Sequence, residues 1–600
     1  MKKVKIAVID TYVDVKNLGF ENDSVRISEF CPNYNIKDNL HGALVCSQIL
    51  AEFSNVQITV FPVFSNENYA VDPKEILKIL EYIYECGNYN LINMSFGMLD
   101  CDCLDELRII CHKLVLCGTI ILAAFDNDGA MSYPAVLEEV IGIDIIPEKK
   151  SKGGYQYIIN SEINIRADGK IKRIKFGNKY MLASGTSFVV PIFTGKIAKY
   201  IFESNFHYNL DTIRSFLKSN ADEILNLKIF SLPNNELKIS NAIVLPINKE
   251  NHSLMRFKKL LKFNIVGFYD FKYQLNIGKK VSYFTNCDED NDVIEGIDKI
   301  PWCNNFDTVI IGHIDTIANL AGKEIIMSLL KKCLMYNKKV VAYDNFIYNN
   351  FILGNNELHG LKLYFPYIND TMIPYARFGK LWYISKPILN ILGTRSQIGK
   401  FTAQIKIIKG LQERGYNVGY LSSEPTGLFF GAKYVFPFGY NSTVNISLNN
   451  YPAIVNEMLH RIDEEKNDII VTGGQSGIVP YDLFNTSRIL LPQIAYLYAT
   501  NPDAVVLCVS CDDELEYIQR NISFIESSCD TNVIALLLFP VEKQMNFLGN
   551  YFDVNIENEN RYKEKQKELH NSLNLPVYSF FDDSFNECVD LIIDYFSAET

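Results

Sequence analysis

Short apolar runs alternate with helical patterns along almost the whole chain. In the first 245 residues the runs are VKIAVID, VQITVFPVF, NLINMSF and TIILAAF. The segments HGALVCSQILAEF and PKEILKILEYIYE lie between them and carry apolar residues at three- and four-residue spacing, as amphipathic helices do. Strands joined by crossover helices form a parallel sheet that helices cover on both faces. The sequence therefore predicts an α/β protein.

The length of 600 residues exceeds what one hydrophobic core supports, so several domains are expected. We predict a first α/β domain over residues 1–245, a small Rossmann-like α/β domain over 260–380 and a P-loop α/β domain over 381–600. The polar connector LPINKENHSLMRFKK separates the first from the second. Within the first domain, YQYIINSEINIRADGKIKRIKFGN departs from the alternation and predicts a β-hairpin that turns at Asp168 and Gly169.

Composition narrows the classes of partner. The formal charge of −12 and the lack of a concentrated basic segment argue against nucleic acid binding. No apolar stretch approaches the length of a membrane span, and the apolar part of MKKVKIAVID is too short for a signal peptide, so a cytoplasmic protein is expected. The cysteine groups, Cys101 with Cys103 and Cys508 with Cys511, lack the matched second knuckle of a zinc site, and no metal site is predicted.

Three polar residues of the first domain lie where a parallel sheet collects its active site. Asp10 ends the first apolar run, His41 begins a helical segment, and Ser187 begins another after Gly185. A serine hydroxyl becomes nucleophilic when an imidazole removes its proton and a carboxylate holds the other ring nitrogen. A fourth residue, Asn127 in AAFDNDG, is positioned to donate its amide to the oxyanion of an acyl-transfer intermediate.

These segments resemble the subtilisin family of serine proteases. The resemblance rests on IAVIDT, HG, NMSFG, NDG and SGTSFVVP, in the chain order Asp, His, Ser of that family. It implies a subtilisin-like parallel sheet, a catalytic role for Asp10, His41, Ser187 and Asn127, and pairing of the substrate backbone with Ser95, Phe96 and Gly97. The chain departs from the family at Tyr12, Leu44, Phe125 and Asp126. The resemblance therefore does not extend to the substrate preference or to the conformation of the oxyanion loop.

The string GTRSQIGKFT follows an apolar run and precedes a helical segment, which is the context of a phosphate-binding P-loop. The predicted ligands of the phosphate groups are Gly393, Thr394, Gly399, Lys400 and Thr402. The residue after the lysine is Phe401 rather than the usual magnesium-binding hydroxyl, and the run DIIVTGG ends in glycine rather than an acid. These two departures favour an acyl-coenzyme A over ATP as the ligand, since thioester chemistry does not depend on a metal.

This part of the chain resembles a bacterial P-loop family related to dethiobiotin synthetase, some of whose members are described as D-glutamate N-acetyltransferases. The resemblance rests on GTRSQIGKFT, on Gly474 with Gln475, and on PDAVVLC at residues 502–508. It extends back to about residue 260. It implies nucleotide or acyl-coenzyme A chemistry, although family members usually carry an acid where Gly473 stands.

The two resemblances together favour a serine endopeptidase that removes the leader of a precursor peptide in the maturation of a bacteriocin or another ribosomal natural product. Two other functions stay open. One is a bifunctional housekeeping peptidase and N-acyltransferase, and the other is an inactive scaffold that only grips extended peptides.

Overall fold

The computed structural model describes the chain except for residues 1, 16–23, 31–39, 65–70, 128, 148–153, 177–178, 234–236, 286–290, 487–488, 540, 546–550, 556–558, 581 and 599–600. The chain forms two compact units. The first contains Met1–Ile229 and Pro374–Tyr383, and the second contains Phe230–Ile373 and Ile384–Thr600. Each unit has its own sheets and its own buried core.

The first unit contains eleven strands and five α-helices among its described residues. The strands are β1 (Val4–Asp10), β2 (Val25–Ile27), β3 (Val56–Pro62), β4 (Leu91–Met94), β5 (Ile120–Ala124), β6 (Val140–Ile146), β7 (Tyr155–Ile159), β8 (Ile165–Asp168), β9 (Lys172–Phe176), β10 (Lys179–Ala183) and β11 (Glu223–Asn226). The helices are α1 (His41–Glu52), α2 (Pro73–Cys86), α3 (Leu104–Leu116), α4 (Val190–Glu203) and α5 (Leu210–Ser219).

Nine of these strands form one sheet in the order β11-β7-β8-β6-β5-β4-β1-β3-β2. All neighbours are parallel except β7 and β8. Strand β1 shows why both faces are covered: Ile6 and Val8 pack in a core cluster with α1 and α4, whereas Ala7 and Ile9 pack in a second cluster with α2 and α3. A continuous apolar run of this kind is typical of a strand buried on both sides.

The predicted hairpin at Asp168 and Gly169 is wrong. Strand β8 pairs in antiparallel fashion with β7 and in parallel with β6, so neither of its edges is left for β9. Strand β9 instead pairs with β10 in a separate two-stranded ladder. The two hairpins therefore turn on either side of the predicted position, because the sheet takes β8 as an internal strand.

The second unit contains the remaining elements of the described chain. Its strands are β12 (Asn241–Leu245), β13 (Asn264–Asp270), β14 (Glu295–Gly296), β15 (Thr308–Ile311), β16 (Lys339–Ala342), β17 (Leu363–Tyr364), β18 (Ile368–Asn369), β19 (Ile388–Gly393), β20 (Val418–Ser422), β21 (Tyr434–Val435), β22 (Val444–Asn445), β23 (Ile469–Gly473), β24 (Ala504–Ser510), β25 (Asn532–Phe539), β26 (Val541–Met545), β27 (Tyr551–Asn555) and β28 (Val577–Ser579). Its helices are α6 (His252–Arg256), α7 (Ser282–Thr285), α8 (Asp315–Ala321), α9 (Lys323–Met335), α10 (Lys400–Glu413), α11 (Tyr451–Asp463), α12 (Leu491–Thr500), α13 (Leu515–Ser528), α14 (Glu559–Leu573) and α15 (Ser584–Ala598).

Two parallel sheets organise this unit. One has the order β14-β13-β12-β15-β16-β17, and the other has the order β21-β20-β23-β19-β24-β25-β28. With the sheet of the first unit they confirm the predicted fold class, an α/β chain with parallel sheets in three successive parts. Within the described residues, no helix combines the length and the apolar character that crossing a bilayer requires.

The compact units divide the chain at different places from the predicted boundaries. Strand β12 precedes residue 260, yet it lies between β13 and β15 in the sheet of the second unit. The polar connector after residue 245 joins β12 to β13 and contains α6, so it lies within the second unit rather than between two domains. Residues 374–383, which the predicted boundary divided between the domains at 260–380 and 381–600, belong to the first unit.

Candidate functional site

Asp10 and His41 meet at the carboxyl end of β1. Asp10 is fully buried, and its Oδ1 accepts hydrogen bonds from His41 Nδ1 at 2.7 Å and from the amide of Thr11 at 2.7 Å. Burial alone would lower the pKa of His41, but the charge and the hydrogen bond of Asp10 outweigh it and raise that pKa above its usual 6.5. Asp10 therefore stabilises the protonated imidazolium form of His41.

The start of α1 is fastened to the end of β1 beside this pair. Thr11 Oγ1 accepts a hydrogen bond from the amide of Gly42 at 2.8 Å, which satisfies one of the free donors of the helix terminus. A Cβ at residue 42 would lie 2.5 Å from the carbonyl oxygen of Thr11, so only glycine permits this approach. The HG pair of the sequence therefore combines a functional side chain with the backbone contact that positions it.

Ser187 lies in a short 3-10 turn, Thr186–Phe188, directly before α4. Gly185 enters the turn with a φ of 109°, a conformation that favours glycine. The ring of Phe188 lies 5.0 Å from the ring of His41. Ser187 is half-buried, and its neighbour in the turn, Phe188, contacts His41, the predicted base.

Asn127, in the loop after β5, contacts the residue on the other side of Ser187. Its Oδ1 accepts hydrogen bonds from the amide of Thr186 at 2.8 Å and from Thr186 Oγ1 at 3.1 Å. Because a backbone amide can only donate, the side-chain oxygen must face Thr186, and the amide group is left as a donor. A Cβ on Gly185 would lie 2.8 Å from that oxygen, so the glycine also makes room for Asn127.

The predicted substrate-binding segment, Ser95 to Gly97, directly follows β4. Ser95 is buried and accepts a hydrogen bond from Asn93 Nδ2 at 3.0 Å, so its side chain has a structural role. Phe96 packs against Phe64 at 5.5 Å between ring centroids. A Cβ on Gly97 would clash with Ser132. Because these side chains have structural contacts, the backbone of the segment is the part that can pair with an extended peptide, as in β-strand addition.

Residues 374–383 form a segment, here called the strap, that packs on the loop of Asn127. Lys380 Nζ donates to the carbonyl oxygen of Asp126 at 2.6 Å and lies 3.7 Å from Asp144 Oδ1. The amide of Met131 donates to the carbonyl oxygen of Leu381 at 2.7 Å. The strap therefore holds both ends of the segment that carries Asn127, and the sequence analysis missed it.

Aromatic and charged side chains fix the strap in place. The guanidinium of Arg166 lies 4.3 Å from the centre of the Phe378 ring and 3.6 Å from Asp144. Trp382 lies beside Tyr133 at 6.4 Å between ring centroids. Burial raises the pKa of Asp144, although Lys380 and Arg166 oppose the shift. The sequence PYARFGKLWY contains no local pattern that predicts these contacts, because the residues that the strap contacts lie more than 200 positions earlier in the chain.

A second group of functional side chains lines a cavity of about 950 Å³ within the second unit. Gly399, Lys400 and Thr402 of the predicted P-loop line it, whereas Gly393, the last residue of β19, and Thr394 do not. Lys400 Nζ donates to the carbonyl oxygen of Arg395 at 2.6 Å, and burial lowers the pKa of this lysine to about 8. The loop thus folds around its lysine, as a phosphate cradle does.

Thr394 anchors the loop from behind. Its Oγ1 donates to Asp513 Oδ2 at 2.6 Å, and its carbonyl oxygen accepts from Tyr517 Oη at 2.8 Å. The Thr394 hydroxyl, which the sequence predicted to bind phosphate, therefore forms a structural hydrogen bond instead.

The same cavity contains residues that the sequence analysis did not select. Arg256 Nη1 donates to Thr402 Oγ1 at 3.0 Å, which adds a second cation beside the loop. Glu424 follows β20 by two residues, and burial raises its pKa although Gln475 and Lys400 oppose the shift. An acid is absent at Gly473, as predicted, but the neighbouring strand β20 brings one to the cavity.

His313 and Asp344 form a second histidine–carboxylate pair. They follow the adjacent parallel strands β15 and β16 by two residues each, and His313 Nδ1 contacts Asp344 Oδ2. Burial favours a lower pKa for His313, but Asp344 outweighs it and the pKa is raised. The signal that could have found this pair is the polar residue after each apolar run, in VIIGHID and VVAYD.

Comparison with known proteins finds similarity in both parts of the chain. Residues 379–589 match the family model described as a domain of unknown function, the DUF1611 C-terminal P-loop domain. No curated protein matches the chain. A crystal structure of a DUF1611 family protein from Anabaena variabilis ATCC 29413 is 14% identical, covers 59% of this chain and 99% of its own, and gives a TM-score of 0.44.

Two structures are similar to a smaller share of the chain. The prenylagaramide maturation protease PagA is 19% identical over 36% of this chain and 82% of its own, with a TM-score of 0.29. A cold-adapted subtilisin-like serine proteinase is 21% identical over 36% of this chain and 81% of its own, with a TM-score of 0.30. The chain is therefore similar to a P-loop family near its C-terminus and, over about a third of its length, to subtilisin-like proteases.

The strap yields a prediction on local stability. Lys380→Met removes a donor to the Asp126 carbonyl and one of two cations beside buried Asp144. We expect the free energy of local opening at residues 129–133 to fall by about 1–3 kcal/mol. Amide hydrogen exchange in peptides covering those residues measures it. Lys175→Met, at an exposed lysine of the same unit, is the control and should leave the exchange unchanged; equal exchange in the two variants would contradict the role given to Lys380.

Proposed function

We propose that the first unit is a serine endopeptidase of the subtilisin type, with Asp10, His41 and Ser187 as its catalytic triad. The observation that carries this proposal is the 2.7 Å contact between His41 Nδ1 and fully buried Asp10. That contact commits Nδ1 to the carboxylate and leaves Nε2 to serve as the base. The ring of Phe188, next in sequence to Ser187, packs on the same imidazole.

The chemistry then follows from the roles of the side chains. Ser187 Oγ attacks the peptide carbonyl while His41 Nε2 takes its proton and later returns it to the leaving amine. Asp10 stabilises the imidazolium that forms in between. Asn127 donates its amide to the oxyanion, since its oxygen is occupied by Thr186. The backbone of residues 95–97 pairs with the extended substrate.

The substrate that we propose is a precursor peptide from which a leader is removed during the maturation of a ribosomal natural product. The support is the union of a peptidase site with a phosphate-binding cavity in one chain, which suits successive steps on one dedicated peptide. A housekeeping peptidase joined to unrelated metabolite chemistry is the second candidate. The presence of a short precursor gene beside the gene for this chain separates the two.

For the second unit we propose a ligand that carries a pyrophosphate, either an acyl-coenzyme A or ATP. The support is the P-loop conformation with buried Lys400 and the additional cation of Arg256. The sequence favoured the thioester for two reasons, Phe401 in place of the magnesium-binding hydroxyl and the missing acid after β23. Glu424 brings an acid from the neighbouring strand end to the cavity, which weakens the second reason only, so ATP is kept as the second candidate ligand.

Removal of the nucleophile or the base tests the triad. Ser187→Ala and His41→Ala should each abolish cleavage of denatured protein substrates, with similar losses because triad members act as a unit. Digestion followed by mass spectrometry measures cleavage. Ser184→Ala, at an exposed serine three residues earlier, should retain full activity. Cleavage by Ser187→Ala at the wild-type rate would contradict the assignment of Ser187 as the nucleophile. Absence of cleavage by the wild-type protein would leave the peptide-gripping scaffold as the better account.

The oxyanion role of Asn127 is separable from its structural role. Asn127→Asp keeps the oxygen that accepts from Thr186 but replaces the donor amide with a second oxygen. We expect kcat to fall by about 10²–10³, with little change in KM, for Asn127→Ala and at least as much for Asn127→Asp. If the aspartate variant kept wild-type turnover, Asn127 would only shape the loop.

The pH dependence follows from the raised pKa of His41. The base acts in its neutral form, so kcat/KM should fall as the pH drops through that pKa, and this acid limb should lie above pH 6.5. In Asp10→Asn the carboxylate that raises the pKa is gone, while burial still lowers it. The limb should then move below pH 6.5 and the rate should fall by about 10⁴. A limb that does not move would show that another group controls the profile.

A further inference from the structure

The cavity of the second unit gathers more ionisable side chains than phosphate binding requires. Lys400 and Arg256 lie beside the P-loop, and Glu424, Glu250 and His313 also line the cavity. The charges of Lys400 and Glu250 both act on Glu424, and the charge of Glu250 also acts on His313. Clusters of ionisable groups with perturbed pKa values in a cleft are characteristic of catalytic sites.

His313 lines the cavity, and one of its ring nitrogens is held by a carboxylate. Its side chain is 8% exposed, and its Nδ1 is committed to Asp344, which is 6% exposed and lies behind it. Asn441 Nδ2 donates to the same carboxylate oxygen at 3.2 Å and so fixes the carboxylate as an acceptor. The remaining ring atom that can exchange a proton with a bound molecule is Nε2.

A purely structural role explains this pair poorly. Burying a charged pair costs desolvation free energy that an apolar pair of similar volume would avoid. The surrounding rings could supply such packing, since Tyr440 and Tyr343 lie 5.2 Å and 6.1 Å from the imidazole. The chain instead places a base at the wall of a cavity large enough for a nucleotide-sized ligand.

We propose that the cavity is a second catalytic centre, in which His313, oriented by Asp344, removes a proton from the nucleophilic group of an acceptor while the P-loop holds a pyrophosphate-bearing donor. The proposal rests on the phosphate site proposed above and is independent of the peptidase. The acceptor carries an amine or a hydroxyl.

The reaction balances for either donor. The N–H or O–H proton of the acceptor passes to Nε2 as its lone pair forms a bond to the acyl carbon of the thioester or to the γ-phosphorus of ATP. The carbon–sulfur or phosphorus–oxygen bond breaks, and its electron pair leaves on the coenzyme A sulfur or on ADP. His313 then returns its proton to the thiolate or to solvent. Lys400 and Arg256 bind the pyrophosphate throughout.

Full-length protein carrying Ser187→Ala, which removes the peptidase nucleophile, allows a direct test. Calorimetry measures binding of acetyl-coenzyme A and of magnesium-ATP, and product analysis follows transfer from each donor to water and to hydroxylamine. His313→Gln should lower the transfer rate by about 10²–10⁴ with donor affinity unchanged. Asp344→Asn should lower the rate and move the acid limb of its pH profile. His112→Gln, in an exposed histidine–carboxylate pair with Glu139, should change nothing.

The outcomes separate the two proposals for this cavity. If neither donor binds, or if Lys400→Ala leaves binding of both unchanged, the phosphate site is wrong and the catalytic centre fails with it. If a donor binds through Lys400 but gives no transfer product, or if His313→Gln transfers at the unaltered rate, the phosphate site stands and the role of His313 is wrong. Selective binding of one donor identifies the transferred group.

Discussion

Parallel strands end together at one edge of their sheet, and this constraint organises the functional side chains of both units. In the first unit Asp10 is the last residue of β1, and Asn127 lies in the loop after β5. In the second unit Lys400 follows β19, and His313 follows β15. The central strand β1 is buried on both faces, since Ile6 and Val8 pack in one core cluster and Ala7 and Ile9 in the other. Chemistry is confined to the loops at that edge.

Loops at a sheet edge need support, and the two units obtain it in different ways. In the second unit the P-loop is anchored by its own sheet neighbours, through Asp513 and Tyr517. In the first unit the loop of Asn127 is held by a strap that comes from 254 residues later in the chain. The proposed peptidase site thus has all of these contacts only when the later part of the chain has been made. A chain cut at residue 245 would keep the proposed triad and lose the contacts of Lys380 and Leu381.

The sequence was informative where a site is made of local segments. Asp10, His41 and Lys400 each stand at a junction of strand and helix that the pattern of apolar residues reveals, and the structure brings the first two into contact. The pairing of strands was not predictable in this way, because it depends on which strand edges in the sheet are still unpaired. The predicted hairpin failed for this reason: β8 has a partner on each side.

Contacts between segments that are far apart in the chain were not predicted from the sequence. A lone Lys380 in a loop has no local feature that identifies its partner, whereas His313 and Asp344 each follow an apolar run. Asp144 and Asp344 are likewise ordinary acids until the fold buries them beside a cation or an imidazole. Their altered pKa values are properties of the assembled units, so they could be recognised only in three dimensions.

The structure of the full chain after reaction with a fluorophosphonate tests the central claim most directly, because the reagent mimics the tetrahedral intermediate of acyl transfer. The account predicts one adduct, on Ser187 Oγ, with the phosphonyl oxygen within about 3 Å of the Asn127 amide and His41 Nε2 facing the serine oxygen. Failure to react, or an adduct on another residue, would contradict it.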